Sequence, residues 1–461
     1  MISSDAPGQL KKGSLGVGDI VFFVVAAAAP LGATLANAPI VYSLGGRGAP
    51  GLYLLASILL LFFAVGFATM SRYVISAGGF AELIARGLGQ RAGHAAAGMA
   101  LLAYACMLTG IFGQFSAYSS HLLNQSFGFH TNWRELVFLA VIAIGLFGYI
   151  DIDLSAKVLG VLMILEVLIL ILFDAAVLFQ TPLSDIGVTG FRPGEIFSPG
   201  MSTALMFAFA CFVGFESTTI YGEEARDPHR TVPLATYVAI GLIGIFYTLT
   251  MWCLGIAYAH VDVQKLATND PVNFVLSANK SYVGAWATDL MQILVVTSVF
   301  AVVLSFHNTL CRYIFALARN RFLPSVLSRI HERHGSPHIA SITLSIVTAA
   351  VIFAFIVAGA DPIKQLFMWM VAVGTLGVLV LQAMAAISVI RFFVRRPEPM
   401  LWRGIIAPLI GGSGLILVVG LATTNFHLLS GTESRVIGLL PGLILLAAIL
   451  GVWNGRKLVD N

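Results

Sequence analysis

Charge is what this chain of 461 residues has least of. Asp, Glu, Lys and Arg make up 10% of it, against about 25% in a soluble domain. That shortage excludes a water-facing globular surface. It also excludes a nucleic-acid-binding face, because the formal charge of +4 comes from basic residues in short loops between apolar runs. Cysteine is scarce too. Cys106, Cys211, Cys253 and Cys311 all fall inside apolar runs, so neither a disulfide framework nor a zinc-binding spacing is expected. Cys-x-x-Cys, Gly-x-Ser-x-Gly and phosphate-loop patterns are missing, and the aspartates and histidines read as scattered. No catalytic nucleophile, resident metal or cofactor is expected, which argues against an enzyme. A channel would show a continuous polar filter or a charged ring, and neither can be traced.

Hydrophobicity is what the chain has instead: 58% of its residues are apolar and its mean hydropathy is +0.91. Apolar runs of about 20 residues, the length that crosses a bilayer, predict twelve spans. Their limits are 17–43, 51–74, 95–123, 134–150, 155–179, 200–221, 232–259, 284–317, 338–358, 364–394, 403–424 and 434–454. The expectation is an all-α integral membrane protein, a single domain over 1–461, with the lipid bilayer as its solvent. With the N-terminus placed inside, 19 of the 26 Lys and Arg residues fall on the cytoplasmic side, the bias expected of a multi-pass protein. Both termini are then cytoplasmic, and the inner (cytoplasmic) membrane is the expected location. Lys11-Lys12 followed by an apolar run and Ala36-Asn37-Ala38 imitates a signal peptide. The run is too long for one, and Pro39 is unfavourable for cleavage, so the segment reads as an uncleaved first span.

Two spans are interrupted. The sixth carries Gly214-Phe215-Glu216-Ser217-Thr218-Thr219 at membrane depth. A carboxylate at bilayer centre costs roughly 2.5–3.5 kcal/mol on insertion scales, so such a break survives where it is buried in protein or lines a cavity. The first span carries Pro30, which has no N–H to give, and Gly32 two residues on. Read alone this is an ordinary proline kink. Its distance from Gly214, about one five-helix unit, makes the two breaks a matched pair, the sequence pointer to an inverted-repeat transporter.

The run GFESTTIYGEEARDPHRTVP (214–233), together with AGGFAELIARGLG (77–89) and NTLCRYIFALARNRFLPSVLSRIHERHGSPHIAS (308–341), resembles the amino acid–polyamine–organocation transporters. The resemblance covers roughly residues 14 to 395. It implies a LeuT-type fold, with spans 1–5 and 6–10 as inverted repeats (17–179 and 200–394), two additional spans over 403–454, and substrate between the unwound parts of spans 1 and 6. Half-helix ends offer free N–H groups and carbonyls, which suit the carboxylate and the ammonium of an amino acid. The implied contacts are Ala28, Ala29, Pro30, Leu31, Gly32, Ala33, Tyr104, Phe212, Gly214, Phe215, Glu216 and Ser217. Relatives usually carry Gly-x-Gly where this chain has Pro30-Leu31-Gly32. One amide donor is therefore missing, and a simple amine stands beside the amino acid as a substrate.

Coupling has two carboxyl candidates. Glu166 lies within LGVLMILEVLILILF, with no charged neighbour in that run, about 15 Å into span 5 at about 1.5 Å per residue. It reads either as a neutral hydrogen-bonded acid or as the proton-coupling group. Many relatives have a lysine at or near this place, in the part of a sodium ion; Lys157 reads instead as a residue snorkelling to the inner interface. Glu216 matches the family's Gly-Phe-Glu and reads as a brace of the break or a proton sensor. Sodium held by Thr297, Ser298 and Ser305 is the rival to the proton. Phe215 and Trp369 are gate candidates, Gln114 and Tyr118 pocket candidates, and His307, beside Asn308, a packing residue or a proton relay. Arg226 and Arg230 would pair with Glu223 and Glu224, or oppose Arg312 and Arg319, in an inner latch, with Thr231 capping the next helix. The resulting expectation is a proton-coupled importer of an amino acid or small amine working by alternating access. An exchanger, a sodium symporter and a transporter-like sensor are the alternatives.

Overall fold

The computed structural model describes residues 15–74, 79–150, 156–223, 225–396, 400–430 and 435–456. Among them, regular structure is helical throughout, apart from one isolated parallel bridge between Leu15 and Ala225. The helices are α1 (Val17–Ala28), α2 (Pro30–Gly45), α3 (Ala49–Ser71), α4 (Gly79–Leu88), α5 (Gln90–Ser126) and α6 (Trp133–Tyr149). Next come α7 (Ala156–Gln180), α8 (Pro193–Ile196), α9 (Met201–Ala210), α10 (Pro228–Ala257), α11 (Val263–Asn269) and α12 (Phe274–Tyr282). The chain closes with α13 (Ala285–Arg319), α14 (His338–Val357), α15 (Met368–Val394), α16 (Ala407–Thr424), α17 (Arg435–Gly438) and α18 (Gly442–Arg456).

Nine segments among the described residues are long and apolar enough to cross a membrane. That is fewer than twelve for physical reasons. Pro30–Ser71 forms one near-continuous apolar stretch across α2 and α3. Helices α6 and α18 are apolar but only 17 and 15 residues long, short of the roughly 20 that a span needs. The last expected span, 434–454, is divided: α17 ends at Gly438, and Pro441, which cannot continue a helix, precedes α18. Residues 431–434 lie outside the described set. Thr231 does not cap a helix either. Asp227 takes the cap position and Pro228 the first helical one, the place where the missing N–H of proline costs nothing.

Helix α5 is the spine. Its 37 residues span roughly 55 Å at about 1.5 Å each, well over the roughly 30 Å of a hydrocarbon core, and it packs against α4, α6, α13, α15 and α18. Where α3 meets α16, glycine sets the spacing. A side-chain carbon at Gly411 would lie 2.5 Å from the Phe63 backbone nitrogen, and one at Gly66 would lie 2.3 Å from Pro408. In lipid no hydrophobic force drives helix pairing, and small residues gain contact by close approach. Gly411→Leu is therefore expected to lower stability by roughly 1–3 kcal/mol through overpacking, seen as a lower melting temperature in detergent. An unchanged melting point would mean that α3 and α16 do not hold this contact.

Outward faces are apolar and inward faces carry the rare polar groups. On α7, Val161, Ile164 and Leu168 are exposed while Glu166 and Asp174 are buried. This is the reverse of a soluble helix and the arrangement that lipid requires.

Candidate functional site

The first break falls at Ala29, which separates α1 from α2 with φ 44° and ψ 72°. A left-handed conformation costs an L-residue about 1–2 kcal/mol, and strain of this kind gathers at functional sites. Pro30 then opens α2 and has no N–H. The next amide, Leu31 N–H, donates to Glu166 Oε2 of α7 at 3.3 Å. The Ser298 hydroxyl of α13 lies against the same carboxyl. Glu166 thus ties the break to α7 and α13. Further along α2, Pro39 leaves the Leu35 carbonyl without its usual donor, and the Tyr118 hydroxyl of α5 takes that place at 2.8 Å. Gln114 Nε2, one turn away on α5, donates to the Gly32 carbonyl at 2.8 Å.

The second break follows α9. Gly214 has φ 115°, a conformation open to glycine and strained for other residues. The chain then tightens into a 3-10 stretch, Phe215–Glu223. Glu216 braces this turn with both oxygens: Oε2 accepts from the Gly214 amide at 2.9 Å, and Oε1 from the Tyr104 hydroxyl of α5 at 2.6 Å. Ser217 Oγ donates to the Gly214 carbonyl at 2.6 Å.

A cavity lies between the two breaks. Its α1–α2 wall is small and smooth: Ala28, Ala29, Gly32 and Ala33, with Asn37 one turn beyond. Ala210 and Val213 bring the second break to it. Met107, Ile111 and Gln114 of α5 face these, with Val299, Val302 and Phe306 of α13. Phe367 and Val371 close it where a π-helical turn, Pro362–Phe367, leads into α15. Asn37 Nδ2 donates to the Ala33 carbonyl at 2.9 Å, and its Oδ1 is buried with no partner.

The residues expected from the sequence divide. Ala28, Ala29, Gly32 and Ala33 line the cavity, as does Gln114. Leu31, Tyr104, Glu216 and Ser217 stand behind it, holding the breaks. Pro30 is buried and is not among the lining residues. Phe212 packs edge-on against Tyr247, ring centroids 6.2 Å apart. The two gate candidates lie elsewhere. Phe215 is wedged against Phe63 and Phe67 of α3, at 6.2 and 6.1 Å, and Trp369 donates its indole N–H to the Leu429 carbonyl at 3.3 Å.

The sodium candidates are separated. Thr297 Oγ1 bonds to the carbonyls of Ile293 and Leu294 on its own helix, as hydroxyls in membrane helices commonly do. Ser305 is exposed, and Ser298 faces Glu166. His307 Nε2 meets Ser341 Oγ of α14 at 2.9 Å, beside Gly148 of α6, and Asn308 is buried next to it. Glu224 lies outside the described residues, as do the side chains of Glu223 and Lys157, so the inner latch is not placed. Nor are the histidines all scattered: His331, His334 and His338 pack around Tyr149, with centroids 5.1, 6.4 and 5.8 Å from its ring.

The sequence reading missed the apolar wall. Met107, Ile111, Val299, Val302 and Phe306 resemble any other residues of an apolar helix, and nothing in the sequence marks which way they turn. It missed Asp174 as well, whose Oδ2 accepts from Thr250 Oγ1 at 2.8 Å; that aspartate near the end of an apolar run was the available signal.

The pattern of the family described as "Amino acid permease" matches residues 15–449. The chain belongs to the amino acid permease family. It is thus a multi-pass membrane protein of a family of transporters, within the amino acid–polyamine–organocation superfamily. The chain is 28% identical to the branched-chain amino acid permease BcaP of Bacillus subtilis (strain 168) over 298 residues, 64% of this chain and 58% of that protein. It is 24% identical to cationic amino acid transporter 5 of Arabidopsis thaliana over 213 residues, 46% of this chain and 34% of that protein. The matched regions thus cover less than two thirds of these relatives' lengths.

Proposed function

We propose that this protein is a secondary transporter that carries an amino acid into the cell by alternating access, driven by protons. The observation that carries the reading is the cavity bounded by two broken helices, with a buried carboxyl, Glu166, on the first free amide of one break. The reading includes twelve spans, with 17–179 and 200–394 as inverted repeats and 403–454 as two additional spans. It also includes residence in the cytoplasmic membrane with both termini inside, on the strength of the basic residues.

The physical step is a competition for one amide. An ionised Glu166 is a strong acceptor for Leu31 N–H and withholds that donor from a substrate carboxylate. Protonation weakens the acceptor and frees the amide at the break for a substrate carboxylate. Proton and amino acid then favour each other's binding, and by reciprocity the effect is equal in both directions. Pro30, which offers no N–H, supports a second reading, a simple amine that needs no carboxylate site and binds without regard to Glu166.

Purified protein in proteoliposomes is expected to accumulate a radiolabelled amino acid when an inward proton gradient is imposed. Uptake driven by sodium and indifferent to the proton gradient would replace the proton. Binding without flux under either gradient would replace transport by sensing.

A further inference from the structure

The cavity walls differ in kind. One wall is broken backbone: Ala28, Ala29, Gly32 and Ala33 present almost no side chain, so main-chain groups meet whatever sits there. The opposite wall is aliphatic and aromatic, built from Met107, Ile111, Val299, Val302, Phe306 and Val371. Among the described residues that line the cavity, none carries a formal charge. Its polar side chains are two amides, and the Gln114 N–H is already given to Gly32.

The acids that hold the two breaks do not make good the lack. Both oxygens of Glu216 are taken by Tyr104 and Gly214. Glu166 is turned to Leu31 and Ser298, and neither acid lines the cavity. A lysine or arginine side chain, or the second ammonium of a polyamine, would give up its water here for no counter-charge. An aspartate or glutamate side chain would find no cation. Burying a charge without a partner is far costlier than burying an alkyl group.

We infer, resting on the transporter reading above, that the cavity takes an α-amino acid with a neutral, apolar side chain. Its carboxylate and ammonium lie along the α1–α2 break, and its side chain lies on the wall formed by α5, α13 and α15. The unpartnered Asn37 Oδ1 is the side-chain acceptor for the ammonium. A cationic or acidic side chain is rejected by the lack of a partner, not by size.

Two measurements made in parallel test this. The first is the thermal shift of the purified protein with L-leucine, L-isoleucine, L-methionine, L-arginine, L-lysine, L-glutamate, putrescine and isopentylamine, since a ligand of the folded state raises its stability. The second is proteoliposome uptake of the radiolabelled forms. The apolar amino acids are expected to bind and enter at least tenfold better than the charged ones. Isopentylamine, which is leucine without its carboxylate, is expected to bind more than tenfold worse than leucine. Met107→Ala, which shortens a wall side chain and so deepens the apolar side of the cavity, is expected to raise the uptake ratio of L-phenylalanine to L-valine at least fivefold. Asn37→Leu is expected to weaken leucine binding at least tenfold.

Equal or better binding by arginine, lysine, glutamate or putrescine overturns the inference, and so does isopentylamine matching leucine. An unmoved phenylalanine-to-valine ratio in Met107→Ala removes the wall assignment, and unchanged leucine binding in Asn37→Leu removes the ammonium assignment. Selective binding of the apolar amino acids without uptake would sustain the side-chain class and sink the transporter reading, so the two failures are distinguishable.

Discussion

Gly214→Leu abolishes substrate accumulation in proteoliposomes while the purified protein still elutes as a single folded species. At φ 115° a leucine is strained by roughly 1–3 kcal/mol. That is small beside the packing of a helical bundle, so the fold persists with a modestly lower melting temperature. The local effect is large. To relieve the strain the backbone must leave this conformation, and the amide that Glu216 holds at 2.9 Å moves with it. The second break then drifts toward continuous helix, and Val213, which lines the cavity next to it, changes place. Uptake should fall to the level of empty liposomes, with Gly214→Ala intermediate. Wild-type uptake in Gly214→Leu would move the substrate site away from this break.

The second large effect is expected at Glu166. Glu166→Gln keeps the length and planarity of the side chain. The amide oxygen can still accept from Leu31 N–H and the amide N–H can still meet Ser298, so the variant folds and binds substrate. What it loses is titration. Binding becomes independent of pH, and an inward proton gradient no longer accelerates uptake; exchange of internal for external substrate, which needs no net proton movement, continues. If the variant accumulates substrate against a gradient as well as the wild type does, Glu166 is a structural acid and Glu216 is the next to substitute. Sodium-driven uptake that ignores the substitution would point to the α13 hydroxyls instead.

The interruptions were legible because their causes are single residues. Pro30 removes a donor, and Gly214 accepts a φ that its neighbours do not. Glu166 was legible because a carboxyl within an apolar run stands out against its background. The cavity was not. In a soluble helix the apolar stripe reports which face turns inward, but α5 and α13 carry apolar residues on outward and inward faces alike, and their rotation is fixed by packing. Met107 and Phe306 therefore look no different from residues that face lipid. The gate candidates show the converse. Phe215 and Trp369 are gate candidates by residue type, yet Phe215 packs into the α3 cluster and Trp369 against Leu429. Tyr118 stands out in the sequence only by its type; its role follows from Pro39, which leaves the Leu35 carbonyl without a helical donor.

The backbone bond from Arg226 N–H to the Leu15 carbonyl, 2.9 Å, joins the residues just ahead of α1 to those just past the second break. Through it the two broken helices share a seam outside the cavity. Movement of one away from the other would break that bond. The two breaks, far apart in the chain, are thus tied by one main-chain bond, worth about 1 kcal/mol, at a place that substrate does not reach.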